Sequence, residues 1–189
     1  MADFPEVRIQ ITLIGDVTVG RAGGPDVDGD QPRATVGGPA RAVLAALVLE
    51  RPASLPRDRL ADLVWPDDPP RTWASALRTH VSRARRALTA ALPDAIAAGL
   101  PDDGMVVLTG GGYALAVPEG IDLEVDVEAA ERGLDGARRA LAAGDPGAAH
   151  GLAAGAADRL RGPFLPGCDG GWVEDTRDRL ADLHVTALE

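Results

Sequence analysis

Residues 71 to 88, RTWASALRTHVSRARRAL, hold five arginines and no carboxylate, with a hydroxyl at positions 72, 75, 79 and 82. These groups bind anions. A guanidinium fork can bridge a phosphate or the O6/N7 edge of guanine, and a hydroxyl can reach a base edge. Five like charges on one segment repel one another, whereas an ordinary exposed helix mixes signs to gain i,i+4 pairs. An anionic partner relieves that repulsion; a plain solvated face does not. The chain as a whole is acidic, with a formal net charge of −10. That acidity is concentrated late: residues 1 to 117 hold 12 Arg against 14 Asp plus Glu, and residues 118 to 189 hold 7 against 15. Local field outweighs net charge here, because exposed charges are screened beyond about 10 Å.

Other chemistry finds little support. All 19 basic residues are arginine, so a G-x-x-x-x-G-K phosphate loop is impossible, and the triple glycine 110 to 112 leads into a strand. His80, His150 and His184 are dispersed without further metal-type ligands at useful spacing. Cys168 has no histidine context for a nucleophile and no partner for a disulfide. No catalytic residue, metal or cofactor is expected, and the chain does not read as an enzyme. The N-terminus lacks the pattern of a signal peptide, and no apolar run approaches the roughly 18 residues of a membrane span. A cytoplasmic protein with no membrane contact is expected.

The elements that position the arginines follow from periodicity. Val7–Leu13 alternates as a strand, Val17–Val19 and Ala34–Val36 are shorter ones, and residues 20 to 33 read as a loop. Gly37-Gly38-Pro39 opens a first helix, almost wholly apolar and therefore buried, which Arg51-Pro52 ends. A two-turn helix, PRDRLADLVW, stops at the rigid connector PDDPP. The third helix runs to about Leu92. At about 100° per residue, Trp73, Leu77, Val81, Ala84, Leu88 and Leu92 share one face. Ser75, Arg78, Thr79, Ser82, Arg83 and Arg86 share the other, with Arg71 and Arg85 near its edge. His80 lies at the flank, in a half-buried packing role. Residues 105 to 109 and 113 to 117 form a hairpin around the glycines.

Helices separated by a tight connector, the last one basic, then a glycine-tipped hairpin describe a helix-turn-helix with a wing. With the third helix in the major groove, Ser75, Arg78, Thr79 and Ser82 would read base edges, while Arg71, Arg83, Arg85 and Arg86 would meet phosphates, which position without specifying. Beyond Pro118 the pattern changes to helices: Asp122–Ala143 with Leu123, Val127, Ala130, Leu134, Ala137 and Leu141 in phase, a Gly-Asp-Pro turn, a second helix to about Leu160 with Leu152, Ala156 and Leu160 inward, and a third over Trp172–Glu189. This is a helical-hairpin, tetratricopeptide-like pattern.

VWPDDPPRTWASALRTHVSRARRAL followed by VLTGGGYAL resembles the OmpR-type winged helix of the Streptomyces antibiotic regulatory proteins, and GGPARAVLAALVL is similar to that family's first helix. The stretch from IDLEVDVEAAERGL to WVEDTRDRLADL is similar to the start of the family's bacterial transcriptional activation domain. The resemblance implies an activator that binds direct repeats in double-stranded promoter DNA, singly in tandem or as a homodimer, and recruits RNA polymerase through its sigma or alpha subunit. It places the recognition helix at Thr72–Leu92 and the polymerase-facing loop at Trp65–Arg71. It sets Arg41 near phosphate, and matches Thr109 and Tyr113 to the wing, Thr109 as a phosphate contact and Tyr113 as packing. The expected fold is thus an α+β winged helix with small antiparallel sheets (1–117) followed by an all-α domain (122–189). That second domain stops after three helices, as a short member or as the N-terminal part of something longer, and the apolar stripe of the last helix is left free to pair with another chain. The competing class is an adaptor whose winged helix answers an acidic protein.

Overall fold

The computed structural model describes residues 7–22, 33–97 and 99–188; the opening residues and most of the loop expected at 20 to 33 lie outside them. Strand β1 (Val7–Thr12) alternates buried and exposed as its sequence does. It pairs antiparallel with β2 (Thr18–Arg21), which pairs with β3 (Ala34–Thr35). Helix α1 (Pro39–Leu49) follows, with Pro39 in its first turn and every residue from Ala42 to Val48 buried. An apolar surface all round a helix has to be covered on all sides; α1 is the centre of the core, against α2 (Arg57–Val64) and α3 (Trp73–Ala90). The two-residue β4 (Leu55–Pro56) precedes α2, and a single turn, α4 (Asp94–Ala97), follows α3.

The hairpin of β5 (Val106–Thr109) and β6 (Gly112–Leu115) turns at Gly110 and Gly111, at φ 59° and 80°. Positive φ at both central residues defines a turn whose twist matches the flanking strands. Strand β6 also pairs with β4, making a second sheet of order β4-β6-β5. Gly112 stands at that seam: a Cβ there would lie 2.1 Å from the carbonyl oxygen of Leu55.

One expectation is corrected. Residues Ile121–Val125 form a strand, β7, parallel to β1 with Val7 opposite Ile121 and Ile11 opposite Val125. The helix expected from Asp122 starts at Asp126. The first sheet therefore has the order β3-β2-β1-β7, its β7 adding one parallel pair to the small antiparallel sheets that were expected.

Helices α5 (Asp126–Ala142) and α6 (Pro146–Arg159) fold back on each other about a turn in which the Asp145 side chain accepts a hydrogen bond from the Ala148 N–H at 2.9 Å. The two helices approach closely at glycines of α5: a Cβ on Gly133 would lie 3.4 Å from Ala156, and one on Gly136 3.2 Å from Leu152 Cδ1. Leu152 and Leu141, expected inward, are 41% and 61% exposed. Helix α7 (Gly171–Leu188) buries Val173, Leu180 and Ala187. No helix among the described residues is long and apolar enough to cross a membrane.

Candidate nucleic-acid interface

Helix α3 is held from below. Leu77, Val81, Ala84 and Leu88 are at most 1% exposed, while Ser75, Arg78, Thr79, Ser82, Arg83 and Arg86 are all exposed on the opposite face. The Ser75 hydroxyl donates to the Thr72 carbonyl at 2.9 Å, and the Thr79 hydroxyl to the Ser75 carbonyl at 3.1 Å. Each hydroxyl oxygen keeps its lone pairs for an outside donor. Among the described residues, no carboxylate comes within 4.0 Å of Arg71, Arg78, Arg83 or Arg86. The face expected to be cationic is rigid, one-signed and unneutralised.

Two of the expected phosphate ligands are used otherwise. The Arg85 guanidinium pairs with Asp103 at 2.8 Å and donates through Nε to the Val106 carbonyl at 2.7 Å. It ties α3 to the root of the wing. Arg41 turns its guanidinium towards the second half of the chain, donating to the Gly167 carbonyl at 3.4 Å with the Cys168 thiol beside it. Its position on α1 faces the helical module rather than the exposed face of α3. Burial pushes the Cys168 thiol up, against the smaller pull of the Arg41 and Arg177 charges. Thr109 is exposed at the wing, with its carbonyl taking the Ser54 hydroxyl at 2.9 Å. Tyr113 is buried beneath Arg57, whose guanidinium lies 5.8 Å from the ring centroid. It packs, as expected.

The connector between α2 and α3 is anchored at its first residue, Trp65. Trp65 meets the His80 ring at 5.7 Å between centroids, tilted by 56°. His80 is half-buried, and its Nδ1 has no hydrogen-bond partner among the described residues. Burial, and secondarily the Arg83 charge, hold His80 below its ordinary value. The folded state thus favours the neutral ring, so the stability His80 contributes is complete above about pH 6.5 and is lost as the pH falls through the lower folded value. Chemical denaturation of the wild type and of His80→Phe across pH 5 to 8 checks this. The wild type should lose stability relative to the variant on acidification, and a constant difference would exclude the effect.

Sequence reasoning missed the strap that joins the two halves. Arg177 of α7 donates to the carbonyls of Phe164, Leu165 and Cys168, each at 2.9 Å. The segment so held pairs with the end of β1: Leu165 N–H donates to Leu13 at 3.0 Å, and Gly15 N–H to Pro163 at 2.9 Å. Trp172 stacks edge-on against Phe164 and donates its indole N–H to the Leu63 carbonyl at 2.8 Å, satisfying an orphan acceptor in the last turn of α2. Asp126 completes the junction, one oxygen accepting from both the Leu13 and Ile14 N–H groups at 2.9 Å. The contacts to Leu13, Ile14, Gly15 and Leu63 span more than a hundred residues of sequence, and no local periodicity encodes them.

A basic helix on a helix-turn-helix, a glycine-turned wing and a strapped helical hairpin define a winged-helix regulator of transcription. Residues 33–98 match the family described as transcriptional regulatory protein, C terminal, and residues 125–189 match the bacterial transcriptional activator domain. The chain is 32% identical over 150 residues to the regulatory protein AfsR of Streptomyces coelicolor, a match covering 79% of this chain and 14% of AfsR. Among solved structures it is similar to Mycobacterium tuberculosis EmbR in complex with a low-affinity phosphopeptide, with a TM-score of 0.75 and 26% identity over 97% of this chain and 44% of the EmbR chain. The chain belongs to the Streptomyces antibiotic regulatory protein family of transcriptional regulators. Its two matched families are regulators of transcription and not enzymes.

Proposed function

We propose that the chain is a cytoplasmic transcriptional activator that places α3 in the major groove of promoter DNA. The observation that carries this reading is the unneutralised arginine face of α3 in a chain of net charge −10. Arg78, with Ser75, Thr79 and Ser82, reads base edges. Arg71, Arg83 and Arg86 meet phosphates, joined by Thr109 at the wing, whose glycine tip can offer only backbone N–H groups. Arg41 and Arg85 are left out of the interface, since each has an internal task. Binding is to direct repeats, by copies side by side. The exposed Asp67 and Asp68 of the connector face RNA polymerase, at its sigma or alpha subunit. Residues 1–117 would supply the DNA contact and residues 122–189 the protein contact, the acidity of the latter keeping it off the duplex.

Affinity for duplex DNA measured against salt tests the reading. Log affinity should fall steeply and linearly with log salt as phosphates release their counterions. Arg78→Ala should cost about 1–3 kcal/mol on a selected site and relax preference at one base pair. A flat salt response would point to an acidic protein as the partner instead.

A further inference from the structure

Helix α3 is 18 residues long, about 27 Å at 1.5 Å per residue. A straight rod of that length cannot follow a curving groove about 12 Å wide from end to end. When the first half of α3 reads bases, the second half has to rise over the sugar–phosphate backbone. There the fold presents a concavity of about 460 Å³ between the β3–α1 turn and α3, walled by Thr35, Gly37, Gly38, Arg83 and Arg86. Among the described residues, its polar side-chain lining is two guanidinium groups and one hydroxyl, with no carboxylate. Neither arginine is in an ion pair among the described residues. Gly37 and Gly38 leave the backbone bare, since a Cβ at either would meet nothing within 4 Å. Gly38, at φ 60° and ψ −155°, occupies a region essentially reserved for glycine. The start of α1 here has no acidic residue in its first turn, so its own N-terminal field adds to that of the arginine pair.

We propose that this concavity seats one DNA backbone phosphodiester outside the reading groove, gripped by Arg83 and Arg86 and closely approached by the bare Gly37–Gly38 backbone. The proposal rests on the reading of α3 as the groove helix and adds a second, sequence-independent point of attachment. It also accounts for the turning away of Arg41: the first helix would meet the backbone through its start and not through an arginine of its body.

Gly37→Asp separates this role from a structural one. The new side chain has room and an ordinary backbone conformation, and a carboxylate beside the start of a helix stabilises it. Folding and anion binding are therefore pushed in opposite directions. Binding to a random-sequence duplex of about three helical turns is measured across a salt series, alongside thermal unfolding. Gly37→Asp should keep or raise the thermal midpoint while the salt slope falls by about one unit. Gly37→Ala should retain the wild-type slope, and Arg86→Ala should also lose about one unit. Wild-type slopes in both Gly37→Asp and Arg86→Ala, on a protein that itself binds steeply, overturn the seat and leave the concavity to an acidic protein segment. A loss in Gly37→Ala equal to that in Gly37→Asp overturns it too, since shape and not charge would then decide. Should Gly37→Asp unfold, Thr35→Asp, which sets a carboxylate on the same wall, takes its place. No salt-dependent binding by the wild type removes the DNA reading and the seat together.

Discussion

Gly112→Ala should destabilise the protein by about 3 kcal/mol or more, beyond the usual 1–3 kcal/mol of an overpacked site. The added carbon would lie 2.1 Å from the Leu55 carbonyl oxygen, 2.6 Å from its carbon and 2.9 Å from the Pro56 nitrogen. All three are backbone atoms, so no rotamer change can make room. Relief requires β4 and β6 to part, which breaks the pairing of Leu55 with Tyr113 and of Pro56 with Gly112. Tyr113, buried and covered by Arg57, then loses its place in the core. Gly110→Ala and Gly111→Ala are the contrast. Each strains a positive φ but meets nothing within 4 Å, so each should cost only about 1–2 kcal/mol. Denaturant unfolding of the three variants measures this; equal losses at all three positions would show that the seam with β4 carries no special weight.

Asp126→Ala should cost roughly 2–5 kcal/mol, at about 1–3 kcal/mol for each buried donor left without a partner. The Leu13 and Ile14 amides, on two buried residues, both donate to one Asp126 oxygen, and the Val127 amide donates to the other at 2.8 Å. Burial nevertheless raises the Asp126 pKa, outweighing the opposite pull of those N–H groups. A carboxyl raised in the folded state contributes stability that is complete below its unfolded value, about 3.8, and is lost as pH rises through the folded one. Asp126→Asn, whose amide oxygen can still take both N–H groups, should therefore recover most of the loss. Its deficit against the wild type should shrink from acid to neutral pH. An Asn variant as unstable as Ala at neutral pH would show that the charge itself holds the junction.

How far sequence carried the reading depended on how local each feature was. The α3 face divides as the 3.6-residue period requires: Leu77, Val81, Ala84 and Leu88 inside, Ser75, Arg78, Thr79, Ser82, Arg83 and Arg86 outside. Arg85 and Arg41 lie at wheel angles that fit either solvent or a neighbour, and what claims them, Asp103 and the Gly167 carbonyl, is distant in the chain. Strand β7 was masked because Leu123, Val127 and Ala130 also suit a helix. The alternation of Ile121, Leu123 and Val125 with two acids was the competing signal, and pairing with β1 decided between them. In the triple glycine nothing local distinguishes Gly112 from its neighbours; only the strand across from it does.

The shared sheet and the strap have a geometric corollary. Five residues of parallel ladder, with Arg177 clamping the return segment, give the C-terminal helices no swivel relative to α3. Their bearing around the axis of any duplex that α3 enters is fixed when the chain folds. A neighbour on that duplex would meet them on one side of the double helix only, with a phase set by base-pair spacing rather than by the slack of a tether.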